Sequence, residues 1–543
     1  MRRLLPFLAL GALLTAPLGA RSSIGSCDWT MYGRDTGHSF AQSAECSEIN
    51  ALNAGALRPK WTIPTDTPVT ASPSVVGGVV YVGEWDGTFY ALDAETGAEI
   101  WRFAIDDGNS TGFGRIVSSA AIAEVGGKQI AVFGGGSTLY VLDTDPDPAQ
   151  RKLASICLDP RDPVADAAER CVTSQADIEI ESSPSIITVD GETWIVVGHS
   201  VHNRGDVGRT GVVALRLDPA DWTLSPVWKF DPETLRTYKP VGGCGAAEPA
   251  CVESADPLTH GHGSGGGCGG VWSSPAIDLD EGLVFFGTSN CTQDGDPPAG
   301  EVYGESIFSV DLRSGAYNWH YSPRGHNHVD DDFGASANLL PGNVVGNGGK
   351  DGRYYARNYA DGSEAWTAHP ARSGRLNTDF SLGGIIGTPA VGSVLGSPAI
   401  FAASAVGTPF EQPFDSGGNP FDPAALAEDP GRWLSLHAID AATGEILWRS
   451  VSRQAFGAPT FVEGHRVADV SLGGVVFVPS TFSLSVMAIH ADTGALLWEG
   501  QLQGAPSSAP AVVGDSIYLG TGTTVPPFPL DQLSGIWSFT LAA

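Results

Sequence analysis

The stretch that decides the fold is SPSVVGGVVYVGEWDGTFYALDAETGAEIWRF, Ser72–Phe103. Its opening half is a Ser-Pro step followed by hydrophobic strands. Its closing half is a strand, an Asp/Thr-Gly turn and a strand that contains Trp101. The turn has the composition of a hairpin, because glycine supplies the positive φ that such a turn needs. The closing tryptophan offers a large apolar face for docking against a neighbouring unit.

Both halves of this unit recur along the chain, so each can be counted independently. The small-residue or Ser/Pro step before a hydrophobic strand occurs eight times, at Ser72-Pro73, Ser119-Ala120, Ser183-Pro184, Ser274-Pro275, Ser336-Ala337, Thr388-Pro389, Ala458-Pro459 and Ala509-Pro510. Seven closing strands carry a tryptophan and an eighth, cryptic one lies near Cys157; the seven are at Trp61, Trp101, Trp228, Trp319, Trp366, Trp448 and Trp498. Both counts indicate eight units.

The two counts are offset by one strand. The first closing strand, PKWTI, precedes the first opening strand, and the last unit, SAPAVVGDSIYLGTG…GIWSFTL, lacks a closing strand. A ring whose N- and C-terminal strands share a blade accounts for the offset. The sequence therefore predicts an all-β, eight-bladed β-propeller with tryptophan-docking-type repeats over 61–543, after a lead-in segment, 21–60. Insertions are expected to form loops on a face, mainly in 143–180, 199–210, 231–271, 290–303 and 407–433.

Composition narrows the functional classes. Gly 70, Pro 37 and 17% charged residues favour many short strands and tight turns. The formal net charge of −31 argues against nucleic acid and anionic membranes as partners. No segment is long and apolar enough to cross a membrane. Nothing in the sequence indicates the oligomeric state.

The N-terminus, MRRLLPFLALGALLTAPLGARSS, has two arginines, a short apolar run and small residues up to Ala20. The pattern predicts a signal peptide over 1–20 and a periplasmic or extracellular protein. Cys27 in IGSC is an alternative lipid acceptor, which Arg21 disfavours because it interrupts the apolar run.

The eight cysteines of an exported chain suggest disulfides. The most local of the roughly 105 possible pairings is 27/46, 157/171, 244/251 and 268/291. There is no C-x-x-C-H motif, so the chain carries no covalent c-type haem.

The repeat and the lead-in stretch WTMYGRDTGHS…EINALNAGALRPKW resemble those of quinoprotein dehydrogenases over nearly the whole mature chain. Within that family, the repeats most resemble those of the polyvinyl-alcohol dehydrogenase branch. Propellers of this family hold pyrroloquinoline quinone (PQQ) and Ca²⁺ on the central axis. The resemblance implies an exported oxidoreductase that oxidises an alcohol by hydride transfer to PQQ, with assistance from Ca²⁺ and a separate electron acceptor.

Two stretches resemble the cofactor site of that family. In GGVWSSPAIDLDEGLVFFGTSN, 269–290, the resemblance implies that the quinone stacks on Trp272 and that Asn290 is a Ca²⁺ ligand. An indole is a flat π surface and a carboxamide oxygen suits a hard cation. The alternative is a blade-core tryptophan and a turn asparagine. In RGHNHVDDDFGASANLL, Asp332 precedes an aromatic residue, as the family's catalytic aspartate does. The resemblance implies that Asp332 is the general base and that it lies beside the metal ion.

The other acids of that run, Asp330 and Asp331, are expected in a solvated loop. Three further site residues follow from the same resemblance. Lys350 in VVGNGGKDGRYYARN would contact the reactive quinone oxygens, or else be a hairpin-turn lysine. Arg115 in GFGRIVSS would face the tricarboxylate cofactor, and Asp206 in NRGDVGRTGVVAL would replace the family's glutamate as a Ca²⁺ ligand.

The sequence also departs from the family pattern. No two cysteines are adjacent, and Glu181 stands where the family has threonine. Two His-x-His pairs are alternative transition-metal ligands, although solvated loops or an active-site rim fit them better: His260, His262, His326 and His328.

The competing function is a non-catalytic propeller of the same repeat family, a scaffold that binds partner proteins. A sugar-binding or sensing propeller is a third possibility. Convergence of Asn290, Asp332 and Lys350 on Trp272 would favour the enzyme, because a scaffold has no need of a charged axis.

Overall fold

The computed structural model describes residues 24–108, 113–158, 178–201, 210–246, 248–259, 269–290, 303–324, 330–371, 384–405, 435–450, 455–467, 470–523 and 533–542. The predicted signal peptide lies outside these ranges. Within them the chain is nearly all-β, and no helix is long and apolar enough to span a bilayer.

The strands form eight sheets around a central axis, which confirms the eight-bladed propeller. Two strands precede the first blade, β1 (Ala41–Gln42) and β2 (Leu57–Pro64). From the axis outward, the first four blades are built as follows. Blade 1 has β3 (Ser74–Val76), β4 (Val79–Gly83), β5 (Thr88–Asp93) and β6 (Glu99–Ala104); blade 2 has β7 (Ala121–Val125), β8 (Lys128–Gly135), β9 (Thr138–Asp143) and β10 (Lys152–Cys157); blade 3 has β11 (Ile178–Glu179), β12 (Ser185–Val189), β13 (Glu192–Val201), β14 (Gly211–Asp218), β15 (Thr223–Asp231), β16 (Arg236–Pro240) and β17 (Cys251–Ser254); blade 4 has β18 (Ala276–Asp278), β19 (Leu283–Gly287), β20 (Ile307–Asp311) and β21 (Tyr317–Tyr321).

The other four blades complete the ring. Blade 5 has β22 (Asn338–Leu340), β23 (Val344–Gly348), β24 (Tyr354–Asn358) and β25 (Glu364–Ala368); blade 6 has β26 (Ala390–Val394), β27 (Ser397–Ala403), β28 (Leu436–Asp440) and β29 (Ile446–Ser450); blade 7 has β30 (Thr460–Val462), β33 (Val475–Ser480), β34 (Ser485–His490) and β35 (Leu496–Gln501), with a side hairpin of β31 (Arg466–Val467) and β32 (Val470–Ser471); blade 8 has β36 (Ala511–Val513), β37 (Ser516–Thr521) and β38 (Gly535–Leu541). Short 3₁₀ turns lie at Ala44–Cys46, Ala54–Ala56, Pro257–Thr259 and Thr481–Ser483.

Three details of the blades bear on the sequence-based predictions. The cryptic closing strand near Cys157 is β10, the outermost strand of blade 2. The N-terminal β2 is the outermost strand of blade 8, antiparallel to β38 from Leu57↔Leu541 to Pro64↔Gly535. The expected loop at 231–271 is wrong in part, because β16 and β17 extend blade 3 beyond β15 at the rim.

The closing tryptophans dock onto the next blade as the repeat predicts. The indole Nε1 of Trp228 donates to the Leu312 carbonyl at 2.8 Å, beside Gly315. Gly315 has a φ of 66°, and a Cβ there would lie 2.6 Å from the Trp228 ring, so only glycine fits. The same docking bond joins Trp61 to Ala94, Trp101 to Thr144, Trp319 to Tyr359, Trp366 to Ala441 and Trp448 to Ala491.

A ring of hydroxyl groups links the inner strands where they begin. Ser72, the residue of the first opening step, donates its backbone N–H to the Ser119 hydroxyl at 2.9 Å. The pattern continues around the axis, with Ser119 bonding to Ser183, Ser183 to Ser274, Ser274 to Ser336, Ser336 to Thr388, and Ala509 back to Ser72. The opening steps of the last two blades are alanines, which have no hydroxyl group to accept such a bond. The Ser/Pro repeat is thus a contact between blades as well as a strand signal.

The lead-in segment lies across the other end of the inner strands. Backbone hydrogen bonds tie it to seven of the eight blades through Trp29–Val75, Thr30–Ile122, Thr36–Ile277, Gly37–Leu339, Ser39–Val391, Phe40–Phe461 and Cys46–Gly514. A Cys27–Cys46 disulfide closes this span into a loop. The Cys27 sulfur is therefore not available to carry a lipid. The steps that precede the inner strands, by contrast, lie at the opposite end of these strands.

Removing the Cys27–Cys46 disulfide should destabilise the whole ring. A disulfide that closes a loop of 19 residues restricts the unfolded chain and contributes about 3 kcal/mol. We expect the Cys27→Ser/Cys46→Ser double variant to lose at least that much in the free energy of unfolding measured with denaturant. The Cys244–Cys251 pair, with a sequence separation of 7, is the matched control and should cost less. If removal of either disulfide lowered the free energy of unfolding equally, the lead-in contacts would not stabilise the ring as proposed.

His38 gives the lead-in a pH-dependent stability. Its ring is buried, its Nδ1 lies 3.1 Å from the Ala337 carbonyl oxygen, and burial lowers its pKa to about 4. The unfolded chain takes up this proton near pH 6.5, so acid favours unfolding between pH 6.5 and about 4. The contribution lost over that window is about 3 kcal/mol. His38→Asn keeps an N–H donor and should flatten this part of the unfolding free energy plotted against pH; an unchanged slope would contradict it.

Candidate functional site

Trp272 lies in the segment that leads into β18, at the end of the inner strands opposite the lead-in. The two residues before it are buried, and the indole itself is half-buried. Its edge packs on Gly334, where a Cβ would lie 2.5 Å from Cη2. The Nζ atom of Lys350 lies 5.5 Å from the ring centroid. The predicted platform and the predicted cation are therefore neighbours, and a cation over an indole is an attractive contact.

The triple acid run, 330–332, is buried, so the expected solvated loop is wrong. Asp330, Asp331 and Asp332 have relative exposures of 8%, 0% and 4%. The residues alternate in direction. Asp330 and Asp332 turn to Lys350, whereas Asp331 turns to Arg324. Buried carboxylates are tolerated because each has a cationic partner.

Lys350 joins the two outer acids of that run. Its ammonium group donates to Asp330 Oδ1 at 2.6 Å and to Asp332 Oδ2 at 3.0 Å. Its backbone N–H also donates to the Asp332 carbonyl at 2.9 Å. Burial lowers the pKa of Lys350, but the two carboxylates outweigh burial and raise it above the ordinary value. Lys350 is therefore a fixed positive charge in the site.

Asn290 completes this group at the end of the segment after β19. Its backbone N–H donates to Asp332 Oδ1 at 2.6 Å. The Asp332 carboxylate is thus held by one donor on each oxygen, the amide of Asn290 and the ammonium of Lys350. A carboxylate has about four lone-pair positions, so both oxygens can accept further partners. The structure brings four of the predicted residues together: Trp272, Asn290, Asp332 and Lys350.

A second layer of charged residues lies behind the acid run, and the sequence analysis missed it. Arg324 contacts Glu305 Oε2 at 3.0 Å and Asp351 Oδ2 at 2.6 Å. Asp351 also accepts from Arg353 and from the hydroxyl of Tyr355. Burial raises the pKa of Glu305 to about 8, and Arg324 opposes that shift. The whole chain has only 30 lysines and arginines against 61 acidic residues. Arginines close to an acid run are therefore a signal in the sequence that could have indicated this layer.

The described cluster contains more carboxylates than cations. Its acids are Glu305, Asp330, Asp331, Asp332 and Asp351, and its basic residues are Arg324, Lys350 and Arg353. The excess remains whether or not Glu305 is ionised. A buried excess of negative charge favours the binding of a cation.

Of the remaining predicted site residues, only Arg115 is described, and its described side-chain contacts lie in blade 1. Arg115 donates to the Asp86 carbonyl at 3.3 Å, and its side chain packs by Gly87 in blade 1. Asp206 lies outside the described residues, as do the four histidines of the His-x-His pairs. Of the predicted disulfides, Cys27–Cys46 and Cys244–Cys251 are confirmed. Cys157 is also disulfide-bonded, and its predicted partner Cys171 lies outside the described residues, as do Cys268 and Cys291.

Comparison with known sequences gives two family matches. The model of the glucose/ethanol/alcohol dehydrogenase β-propeller domain matches residues 29–366, and that of the outer membrane protein assembly factor BamB matches 434–538. The chain is 24% identical over 313 residues to a quinohemoprotein alcohol dehydrogenase of Comamonas testosteroni, covering 54% of this chain and 38% of that protein. It is 26% identical over 307 residues to the dehydrogenase subunit of a quinone alcohol dehydrogenase of Gluconobacter oxydans, covering 54% and 37%. The match thus spans well under half of these relatives.

Solved structures with the same fold cover most of the chain. Quinohemoprotein alcohol dehydrogenase ADHIIG of Pseudomonas putida HK5 superposes with a TM-score of 0.63 at 19% identity, over 95% of this chain and 80% of that chain. A europium-containing methanol dehydrogenase gives a TM-score of 0.63 at 16% identity, over 95% and 98%. At these identities the likeness shows the fold alone. Because the first family model covers well over half of the sequence, the chain belongs to the PQQ-type family of glucose, ethanol and alcohol dehydrogenase β-propellers.

Proposed function

We propose that this protein is an exported quinoprotein oxidoreductase that oxidises an alcohol and passes the electrons to a separate acceptor. One observation carries the proposal: the Lys350 ammonium group lies 5.5 Å from the centroid of the Trp272 ring and pairs with Asp332, and the Asn290 N–H donates to the same carboxylate. The family supports the reaction class, and its relatives are alcohol dehydrogenases. The particular alcohol, including a polymeric or secondary one, stays open.

The residues present fit PQQ and Ca²⁺. Trp272 is a half-buried aromatic surface, and Lys350 supplies positive charge beside it for an anionic quinone. Asp332 and Asn290 supply the oxygen atoms that Ca²⁺ prefers, in a cluster with more carboxylates than cations. We assign Asp206 to the same metal and Arg115 to the carboxylates of the cofactor by resemblance. When bound, PQQ would supply a hydride acceptor for the alcohol carbon, and Ca²⁺ would supply a Lewis acid.

In this proposal the chain's own residues supply the acid–base chemistry. Asp332 accepts the hydroxyl proton of the alcohol on a lone pair that neither Asn290 nor Lys350 occupies. Those two donors fix the carboxylate before substrate arrives, so little reorganisation is needed in the reaction. Lys350 also lies beside the indole of Trp272. Its positive charge would therefore be close to an anionic ring that stacks on Trp272.

The match of residues 434–538 to an assembly-factor model favours a second candidate, a binding propeller without a cofactor. That function gives no reason for a buried acid run paired with a buried lysine, because buried ion pairs are costly to form. We therefore rank it below the oxidoreductase.

The test is dye-linked oxidation of short alcohols by the purified protein. Activity should require PQQ and Ca²⁺ together and should be lost when a chelator is present before the quinone is added. A preparation that takes up no quinone and reduces no dye, across primary, secondary and polymeric alcohols, would support the binding propeller instead. An exposed-site variant, Asp190→Asn, serves as the unchanged control.

A further inference from the structure

The backbone of Asp331 is held on both sides by two hydrogen-bonded side chains, those of Glu305 and Arg324. Its N–H donates to Glu305 Oε1 at 3.1 Å, and its carbonyl accepts from Arg324 Nη2 at 2.9 Å. Arg324 Nε in turn donates to Glu305 Oε2 at 3.0 Å. Glu305 and Arg324 therefore form a clamp around one residue of the acid run. Neither residue touches Trp272 or Asn290 in the contacts described for this part of the chain.

The clamp determines where the neighbouring carboxylates point. The side chain of Asp331 faces Arg324, whereas those of Asp330 and Asp332 face Lys350. With Asp331 held toward Arg324, the side chains on either side of it face the opposite way, where Lys350 binds both. A rotation of this segment would take both carboxylates away from that ammonium group.

The same arginine also reaches the loop that carries the lysine. Arg324 Nη1 donates to Asp351 Oδ2 at 2.6 Å, and Asp351 directly follows Lys350. Asp351 is fully buried and is held by the hydroxyl of Tyr355 at 2.5 Å. One guanidinium group, with its rigid fork of donors, therefore connects the acid run, Glu305 and the lysine loop.

We propose that Arg324 is a positioning residue, assisted by Glu305, that sets the Asp330–Lys350–Asp332 triad in its working geometry. A catalytic consequence rests on the function proposed above, whereas the structural consequence does not. The role needs a guanidinium group rather than charge alone, since an ammonium group cannot bridge three acceptors in fixed directions.

The test compares Arg324→Lys with Arg313→Lys in the protein without cofactor. Arg313 pairs with Asp190 on the surface, so its replacement is the matched control. The readout is the rate at which an amine-reactive reagent modifies Lys350, measured by peptide mass spectrometry against Lys128, which is 44% exposed. A buried, ion-paired lysine should react at least about tenfold more slowly than Lys128. Arg324→Lys should raise the Lys350 rate about fivefold or more, and Arg313→Lys should leave it unchanged.

Two further measurements separate positioning from folding and from the proposed function. If Arg324→Lys does not fold, Glu305→Gln replaces it as the test. This nearly isosteric variant should also raise the rate at which Lys350 is modified. With alcohol oxidation established, both variants should lower kcat by about tenfold or more, with KM for the alcohol little changed. If Lys350 in both folded variants stays as protected as in the wild type, the positioning role is wrong, whatever the activity. Lys350 could instead become accessible in the variants while neither they nor the wild type oxidise alcohols. In that case the positioning role stands and the proposed function fails.

Discussion

Asp332→Asn should lower kcat for alcohol oxidation by about 10²- to 10⁴-fold, the usual contribution of a general base. The amide keeps the size of the carboxylate, but its single oxygen can accept from only one of the two donors, the Asn290 N–H or the Lys350 ammonium group, because these bind different oxygens of Asp332. It cannot take a proton from the substrate. The fold should survive, because Asp330 still pairs with Lys350 at 2.6 Å. The measurement is steady-state dye reduction with saturating PQQ and Ca²⁺, with the unfolding midpoint recorded alongside.

Asp330→Asn is the informative comparison for that variant. It removes a partner of the same lysine at a similar depth, yet Asp330 has no described contact with Asn290. We expect a loss much smaller than that of Asp332→Asn. Equal losses for the two variants would mean that the acid run acts only through its charge, and the assignment of Asp332 as the base would be wrong.

Lys350→Met should cost about 3–5 kcal/mol in the free energy of unfolding. Methionine replaces the aliphatic part of the lysine side chain, but it leaves the carboxylates of Asp330 and Asp332 buried without their shared cation. Urea unfolding in the presence of a chelator measures this loss directly, since a bound metal ion would mask part of it. Lys350→Arg keeps the charge and should recover most of the stability, although not the geometry over Trp272.

A small loss for Lys350→Met, below about 1 kcal/mol, would be typical of an exposed ion pair. It would contradict the buried triad on which the site depends. A large loss for both Lys350→Met and Lys350→Arg would instead point to tight packing around the side chain rather than to charge.

The fold could be predicted because the repeat encodes it locally. Each Ser/Pro step, turn glycine and closing tryptophan has its partner at a regular position, and the structure uses all three: the step in the hydroxyl ring, Gly315 under Trp228, and the indole bond to the next blade. The extension of blade 3 could not be predicted, since nothing in the sequence marks the outer edge of β15 as free for pairing.

The site could be predicted only in part. Trp272, Asn290, Asp332 and Lys350 were found through a family resemblance, and the structure brings them together. The burial of Asp330 and Asp331 could not be predicted from three consecutive acidic residues, which are usually exposed. Such a run is stable inside a protein only when other parts of the chain supply cations. Arg324 lies 6 to 8 residues from these acids, but its partners Glu305 and Asp351 are distant in sequence. The ion pairs therefore depend on how blades 4 and 5 meet.

In the proposed function, the axis of the propeller binds PQQ on Trp272 with the help of Ca²⁺. The direct measurement is equilibrium dialysis of PQQ against the wild type and Trp272→Ala, with and without Ca²⁺. We predict about one PQQ bound per chain in the presence of Ca²⁺, and binding about tenfold weaker in Trp272→Ala, since an aromatic stacking contact is worth about 1 kcal/mol or more. No binding to the wild type, or equal binding to both proteins, would contradict the proposed site.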